Sequence, residues 1–475
     1  MNKLRLLLVN PVSRHKNGGF AINRATKFEP TGLGIVAALT PDHWEVELID
    51  ENFDKFEFRE VDLVAFTAFT GNVYRAYELA AIFQKNGIHT VIGGAHVSMI
   101  PEEALKYVDT VVVGEAEGIW PEVINDFERG KIRNLYKPDR LSTFSPPIPS
   151  RDLFHPDYLQ ACIQTTRGCP MDCEFCSVTA FNGSKYRFRP VEEVIKELKS
   201  INKQRVFFVD DNLFGHTKKS RTHAKELFEA MIRENIKVSW YSQTDMSIGE
   251  DPELLKLAAQ SGCRMLLIGF ESEKDDELRK MRKNINTGLS MQYRKHLRNI
   301  HKEGIMVMGT FIFGLDSDTV SDLNQRTNFV KNAGADIMQL TVLTPFPGTK
   351  LYYRMLKENR IIKNNYPYDW QHYHFWEVCI QPGNMSPADL SLNIANIWES
   401  LYSKRNLRIM FLKSIFHTRQ LNLLKWVSFR KHLIWAYVTN WLYRRITLQY
   451  VERPEMETKK NQTDHEPPSS TRPQN

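Results

Sequence analysis

The chain has 475 residues, 42 % of them hydrophobic and 25 % charged, with a net charge of +7 at pH 7. This composition is typical of a globular protein with a hydrophobic core, and the length predicts two or three domains. No run of 18 apolar residues occurs, and the apolar run near the N-terminus ends at Asn10, which argues against a spanning helix and a signal peptide. We therefore expect a cytoplasmic protein with reduced thiols.

Residues 1–135 alternate strand-like and helix-like segments, with helical patterns over residues 73–85 and 101–107. The predicted strands are short and bounded by Gly, Pro or Asp. They cover residues 4–9, 45–49, 63–67, 90–93 and 110–113. This alternation predicts an α/β domain with a Rossmann-like, doubly wound parallel sheet.

Residues 136–160 are rich in proline and predict a linker. Residues 161–365 again alternate strands and helices. The strands predicted there cover residues 162–166, 206–209, 238–241, 265–269, 307–313 and 338–343. The helices predicted between them cover residues 191–201, 218–234, 252–259, 290–303 and 320–333. Six such units predict a partial (β/α)6 barrel, although the pattern alone leaves a second open sheet as an alternative.

Three of the six cysteines lie on one short loop after the first strand of this second region. They are Cys169, Cys173 and Cys176, in the spacing CxxxCxxC. Three thiolates on one loop can hold three irons of a [4Fe–4S] cubane and leave the fourth iron open. The alternative is a zinc site, which in structural sites takes four ligands, and the sequence has no second CxxC or HxxxH pair. The pattern therefore favours an iron–sulfur cluster.

This loop after the first strand of a β/α barrel resembles the radical S-adenosylmethionine superfamily, and Phe175 matches the aromatic residue that usually precedes the third cysteine. The resemblance implies that the open iron binds S-adenosylmethionine and that an external flavodoxin- or ferredoxin-like protein supplies an electron. Besides Phe175, the residues it implies as S-adenosylmethionine contacts all end predicted strands; they are Asp210, Asp211, Asn212, Gln243 and Glu271. The alternative is that these residues form turns or cap the next helix.

The N-terminal region resembles the cobalamin-binding domain of one branch of that superfamily, and the resemblance covers about residues 1–360. The branch includes anaerobic protoporphyrin cyclases, hopanoid methylases and C-methyltransferases. Glycines after the strands allow the backbone to approach a phosphate-bearing ligand closely. The residues that the resemblance assigns to cobalamin are Thr67, Thr70, Gly93, Gly94, His96, Gly114 and Glu115.

The lower cobalt ligand is a separate question. Many cobalamin domains carry DxHxxG after the first strand; here His15 and Gly18 fit this pattern and the Asp is missing. A ligating His normally needs such a hydrogen-bond partner. His15 is therefore a candidate cobalt ligand, with two alternatives: a cobalt without a protein ligand, or a domain that is a scaffold or binds another ligand.

The C-terminal region, residues 366–450, is rich in aromatic and basic residues. Between Ser400 and Val451 there are ten Lys or Arg and no Asp or Glu. Such a helical segment can lie in a membrane interface, here peripherally on the inner face. The alternative is a helical cap whose Trp and Leu side chains are buried against the barrel; a nucleic-acid partner is not expected. Residues 451–475 are polar and proline-rich, and we expect them to be disordered.

Together these features predict a cobalamin-dependent radical enzyme that methylates, or forms a C–C bond at, an unactivated carbon of an apolar small molecule. A lipid, an isoprenoid or a tetrapyrrole-like compound would fit. The alternative is a cobalamin- or redox-sensing binding protein that has lost catalysis, against which the intact cysteine loop argues. Cys162 and Cys263 are predicted to be buried core residues, while Cys379 is predicted to be structural with a thiol function as its alternative.

Overall fold

The computed structural model describes residues 3–14, 28–139, 141–288, 292–418 and 423–449, so the prediction for His15 lies outside the described residues. The described residues of the N-terminal part form six strands and five α-helices. In chain order they are β1 (Leu4–Asn10), α1 (Thr31–Leu39), β2 (Trp44–Asp50), β3 (Leu63–Thr67), α2 (Val73–Lys85), β4 (His89–Gly93), α3 (Ala95–Met99), α4 (Pro101–Ala104), β5 (Thr110–Val112), α5 (Trp120–Glu128) and β6 (Leu135–Tyr136).

The N-terminal sheet has the strand order β2-β1-β3-β4-β5-β6, and all its paired strands are parallel. Because the chain leaves β1 in one direction to β2 and then crosses to β3, the sheet is doubly wound. One hydrophobic core on each face covers it. The predicted Rossmann-like fold is confirmed.

The second α/β part supplies the elements β7 to β14 and α6 to α13. In chain order they are β7 (Ala161–Ile163), β8 (Thr166–Arg167), α6 (Val178–Asn182), β9 (Arg187–Phe188), α7 (Val191–Ser200), β10 (Arg205–Phe208), α8 (Lys218–Arg233), β11 (Ser239–Thr244), α9 (Pro252–Gln260), β12 (Cys263–Glu271), α10 (Asp275–Lys280), α11 (Tyr293–Lys302), β13 (Met306–Phe313), α12 (Val320–Ala333), β14 (Ile337–Val342) and α13 (Lys350–Lys357).

Six of these strands form a parallel sheet in the order β14-β13-β12-β11-β10-β7, and β8 pairs with β9 in a small antiparallel ribbon. Each successive strand of the large sheet is added at the same edge, so all crossovers wind the same way. This topology belongs to a partial barrel and not to a doubly wound open sheet. The predicted partial (β/α)6 barrel is confirmed, and the two outermost strands are β7 and β14.

The proline-rich segment between the two sheets is packed and not an exposed tether. Phe144, Phe154 and Tyr158 are buried. The Tyr158 hydroxyl donates to Asp50 at the end of β2, and Arg151 forms ion pairs with Glu29 and with Glu197 of α7. The segment therefore fastens the sheets to each other.

In the described part of the C-terminal region, three α-helices follow the barrel: α14 (Pro387–Leu401), α15 (Lys404–His417) and α16 (Leu423–Gln449). Asn440 of α16 donates to Asp336 O at 2.9 Å, and its Oδ1 accepts from Met338 N at 3.3 Å. Leu433 is buried against core residues of the barrel strands. This part of the C-terminal region thus caps the barrel, and none of the helices described is long and apolar enough to cross a membrane.

Candidate active site between the two sheets

The cysteine loop runs from β8 to α6 at the carboxyl end of the barrel. Gly168 starts it with φ +94°, and a Cβ there would collide with the Lys185 carbonyl. Cys169 N donates to Gly183 O at 3.0 Å, which closes the loop. Cys169 and Cys173 are buried and Cys176 is partly exposed. Burial raises the pKa of Cys169 to about 11 and that of Cys176 to about 12, so these thiols become thiolates when a cationic metal binds them.

The spacing of the three sulfurs distinguishes between a cluster and zinc. Over the part of the chain that the structure describes, these sulfurs do not form a group of three ligand atoms all within 4.8 Å of one another. A tetrahedral zinc with Zn–S bonds of about 2.3 Å needs its sulfurs roughly 4 Å apart. A cubane binds each thiolate through a different iron and holds them further apart. The residues present therefore fit a [4Fe–4S] cluster.

A lysine that the sequence analysis missed lies beside this loop. Lys283 Nζ is 3.4 Å from Glu271 Oε1, and both side chains are largely buried. Burial alone would lower the pKa of Lys283, but Glu271, Cys173 and Cys176 raise it overall, so the ammonium stays charged. Glu271 has a positive φ of 62°, at a register shift where β12 leaves the sheet. The pair offers one buried cation and one buried anion beside the cluster site.

Asp210 and Asp211 hold the chain that leads into the cysteine loop. Asp210 Oδ1 accepts hydrogen bonds from the backbone and the hydroxyl groups of Thr165 and Thr166. Asp211 Oδ2 accepts from Gly168 N at 2.8 Å and from an Asn182 amide at 3.0 Å. Both carboxylates therefore position the cysteine loop through hydrogen bonds to the residues on either side of it. A direct contact of either carboxylate with S-adenosylmethionine stays a prediction.

The side chains of Asn212 and Gln243 differ in their surroundings: Asn212 is hydrogen-bonded within the protein, and Gln243 is exposed. Asn212 donates to Asp245 at 2.8 Å and accepts from Gly215 N and the Thr244 hydroxyl, both at 3.2 Å. Gln243 is the second-last residue of β11, a central strand, yet it is exposed. An exposed side chain at the carboxyl end of a central barrel strand faces the open mouth of the barrel. Of the predicted contacts, Glu271 lies beside the cysteine loop through its pair with Lys283, and a contact of Gln243 with S-adenosylmethionine stays a prediction.

The residues predicted to bind cobalamin fall into two groups: some are enclosed within the loops after the strands, and others lie along the strand ends. His96 is 1 % exposed; its Nδ1 lies 3.2 Å from the Thr70 hydroxyl and its Nε2 lies 3.5 Å from Glu103. Gly94 has φ +114°, and a Cβ there would lie 2.5 Å from Ala68 O. Thr70, Gly94 and His96 therefore lie within the loops after β3 and β4 and stabilise their conformation.

Thr67, Gly93 and Gly114 form the edge that those loops surround. They end or follow β3, β4 and β5, which are neighbours in the sheet. A Cβ added at Gly114 would meet nothing within 4 Å, so the space beside this backbone is open. Three adjacent strand ends, with glycine at two of them and open space beside Gly114, fit a large phosphate-bearing cofactor such as cobalamin.

The edge formed by Thr67, Gly93 and Gly114, called the cobalamin edge below, faces the cysteine loop. Helix α3, which follows the glycines of β4, contacts α6, which follows the cysteine loop, and Met99 of α3 packs directly on Gly348 after β14. Glu115 forms ion pairs with Arg187 and with Arg167, the latter at 3.4 Å. Glu115, predicted as a cobalamin residue, therefore lies in the contact that joins the cobalamin edge to the base of the cysteine loop.

Exposed aromatic residues surround this junction. Phe69, after β3, is 64 % exposed, and Phe375 is 43 % exposed. The Phe375 ring lies 4.8 Å from the Phe346 ring, and its carbonyl accepts from Val342 N at the end of β14. Phe375 adopts a positive φ of 73°, which is rare for a residue with a large side chain. Two aromatic rings thus stand at the carboxyl end of β14 and one beside the cobalamin edge.

Comparisons with known proteins cover both α/β parts of the chain. The radical SAM superfamily model matches residues 163–330, and the B12 binding domain model matches residues 19–124. The bacteriochlorophyllide d C-12(1)-methyltransferase of Chlorobaculum tepidum is 30 % identical over 84 % of this chain and 88 % of its own. The C-8(2)-methyltransferase of the same organism is 28 % identical over 84 % of this chain and 91 % of its own. The solved structure of the cobalamin-dependent S-adenosylmethionine radical enzyme OxsB has a TM-score of 0.66, 15 % identity and coverage of 95 % of this chain and 76 % of that one.

Proposed function

This chain belongs to the cobalamin-dependent radical S-adenosylmethionine methyltransferases, and we propose that within this family it methylates an unactivated carbon of a tetrapyrrole. Its cofactors are a [4Fe–4S] cluster, S-adenosylmethionine and cobalamin. It is an enzyme and requires a reductant; we propose a flavodoxin- or ferredoxin-like protein for that role. The non-catalytic sensor considered above has no support from the relatives, which are enzymes.

When bound, these cofactors supply the one-electron chemistry and the methyl group. Cys169, Cys173 and Cys176 would hold the cluster, and the Lys283 ammonium is placed to bind a carboxylate beside it. The buried Lys283–Glu271 pair is a fixed dipole that needs no reorganisation when a charged ligand enters. The contacts between α3 and α6 hold the cobalamin edge next to the cysteine loop. A substrate bound between them therefore lies within reach of both cofactors.

The observation that carries the substrate class is the aromatic rim of Phe69 and Phe375, which are exposed, and Phe346, which is partly buried. Large exposed aromatic side chains around a cleft are typical of a binding surface for an apolar ring system. Phe69 follows β3 of the cobalamin part, while Phe346 and Phe375 lie at the carboxyl end of the barrel strand β14, so both halves of the site contribute to the rim. Two relatives that this chain matches over 84 % of its length are named as bacteriochlorophyllide d methyltransferases, which supports a tetrapyrrole over other apolar substrates.

The experiment is an anaerobic assay of the reconstituted enzyme with S-adenosylmethionine, methylcobalamin and a chemical reductant. Bacteriochlorophyllide d and a hopanoid are offered in competition, and products are identified by mass spectrometry. We expect a chlorin heavier by one methylene unit, and no product from Cys173→Ala. Methylation of the hopanoid alone would exclude the tetrapyrrole, and a product that has lost two hydrogens without gaining carbon would indicate ring formation instead.

We propose further that α15 rests on the inner, cytoplasmic face of the membrane, where apolar substrates collect. Ile409, Leu412 and Phe416 are 40 %, 54 % and 63 % exposed, and their spacing of three and four residues places them on one side of the helix. The four exposed Lys and Arg residues of this helix are Lys404, Arg405, Arg408 and Lys413. Basic residues near anionic lipid contribute about 1 kcal/mol each, and apolar side chains that enter the interface add to this.

Co-sedimentation with anionic and neutral vesicles at low and high salt tests this surface. We expect salt-sensitive binding to anionic vesicles that Phe416→Glu weakens. Ile232→Glu is the matched control, because Ile232 is exposed by 41 % on α8, away from this helix. Equal absence of binding to both vesicle types, or equal effects of the two substitutions, would reject the proposal.

A further inference from the structure

Three potential metal ligands meet at the end of the barrel opposite the cysteine loop. His301 lies in the last turn of α11, Asp336 directly precedes β14, and His417 is the last residue of α15. One ligand atom from each lies within 4.8 Å of the other two. His301 Nε2 is 2.9 Å from Asp336 Oδ2, and the imidazole rings of His301 and His417 stack at 5.2 Å. Three separate elements thus bring two imidazoles and one carboxylate to one point.

The carboxylate is buried with part of its bonding capacity unused. Asp336 is 3 % exposed, and its Oδ2 also accepts from Val307 N at 2.7 Å. Its other oxygen, Oδ1, is buried and finds no hydrogen-bond partner among the residues that the structure describes. The nearby Ser414 hydroxyl donates to Met410 O at 3.0 Å. A buried carboxylate oxygen without a partner is costly, and a bound cation would account for it.

The local field also suits a cation. Helices α11, α12 and α15 end here, at Lys302, Ala333 and His417, so the negative ends of three helix dipoles converge. A cavity of about 240 Å³ opens beside His301 and His417 and can supply water as a further ligand. Four basic residues also line the cavity and weaken cation binding, although all four are exposed; they are Arg294, Arg298, Lys331 and Lys413.

We propose that His301, Asp336 and His417 bind a divalent transition-metal ion, zinc, which fastens the end of α15 to the barrel. Two imidazoles, one carboxylate and a water are a ligand set that zinc accepts, with bonds of about 2.0–2.2 Å. His417 is exposed at a helix end, so its ring can move until its nitrogen lies within bonding distance of the ion. The ion lies at the opposite end of the barrel from the cluster and has no part in the radical chemistry.

The test is zinc binding to the untagged enzyme that already contains its iron–sulfur cluster, with iron and zinc measured together. We expect one zinc per chain with no loss of iron, and at least tenfold weaker zinc binding in His417→Gln. His43→Gln is the control, since His43 is an exposed surface histidine paired with Glu128. Because His417 is itself exposed, its substitution should leave the fold intact, which the iron content and circular dichroism verify.

Three results would overturn the proposal. They are no zinc binding by the wild-type enzyme, zinc binding in His417→Gln equal to that of the wild type, and zinc uptake only with release of iron. Lys413→Gln separates a cation from an anion in the same cavity. Removing this positive charge should tighten zinc binding; phosphate binding that the same substitution weakens, without zinc binding, would show an anion site instead.

Discussion

Lys283 places its ammonium 3.4 Å from the carboxylate of Glu271, in a largely buried position beside the cysteine loop. We predict that Lys283→Gln weakens S-adenosylmethionine binding and cleavage by at least about 30-fold, since without the ammonium the carboxylate of the ligand is buried unpaired, which costs about 2 kcal/mol or more. Equilibrium dialysis and a cleavage assay measure this at equal iron content. Lys280→Gln, at an exposed lysine three residues away, should change neither quantity; unchanged binding in Lys283→Gln would contradict the assignment.

Substituting a cysteine of the loop should abolish the iron–sulfur cluster, whereas substituting a cysteine elsewhere should leave it intact. Cys169→Ala, Cys173→Ala or Cys176→Ala should lose the cluster and all S-adenosylmethionine cleavage, because a cubane held by two thiolates leaves two irons without a protein ligand. Cys263→Ala is the matched control: Cys263 is buried in the hydrophobic core, and burial raises the pKa of its thiol well above the ordinary value. Iron analysis and electron paramagnetic resonance check both. Full iron content in Cys173→Ala would reject the cluster assignment.

Gly94 should be essential to the cobalamin domain for steric reasons. Its φ of +114° and the 2.5 Å approach of a Cβ to Ala68 O predict that Gly94→Ala displaces the loop after β4 and abolishes hydroxocobalamin binding. Gly32→Ala is the control, because a Cβ there meets nothing within 4 Å and the residue lies in α1. In a helix that change should be neutral or stabilise by up to about 1 kcal/mol. Equal cobalamin affinity in the two variants would contradict the prediction.

Asp210 gives a pH-dependent prediction. Burial raises the pKa of this carboxyl from its ordinary value to about 7, although the Thr165 and Thr166 donors oppose the shift. The folded protein therefore retains a proton that the unfolded chain loses near pH 4, and wild-type stability falls as the pH rises from about 4 to about 7. Asp210→Asn keeps the acceptor for the threonines and has no charge to bury. Its thermal midpoint should rise relative to wild type across this interval and stay level above it.

The same variant tests the role of Asp210. If this residue only positions the loop, Asp210→Asn retains S-adenosylmethionine cleavage within about threefold, whereas Asp210→Ala, which leaves four buried donors unpaired, loses stability by at least about 2 kcal/mol. Loss of cleavage in Asp210→Asn at full iron content would instead indicate a direct contact between its carboxylate and the substrate cofactor.

The sequence by itself predicted the strands β1 to β5, the six strands of the barrel sheet and, through its resemblance to a known family, the identity of the cofactors. The predicted bounds of α2, at residues 73–85, and of β3, at residues 63–67, agree with the structure. They were predictable because burial of one helix face or of a whole central strand leaves a periodic pattern in the chain. The cysteine loop was predictable because its three ligands lie within eight residues. The domain boundaries and the cobalt ligand His15 stay predictions.

Only the tertiary structure decided what the individual polar side chains contact. Asp211 has the position of a ligand-binding residue in the sequence, but its partners Gly168 and Asn182 come from the cysteine loop and α6. Lys283 follows no motif, and it reaches Glu271 only because α10 returns the chain to the carboxyl end of β12. His301, Asp336 and His417 are spread over 117 positions and meet through packing alone. Hydrogen bonds and ion pairs between distant segments leave no periodic trace in a sequence, so their partners are defined only when the elements pack.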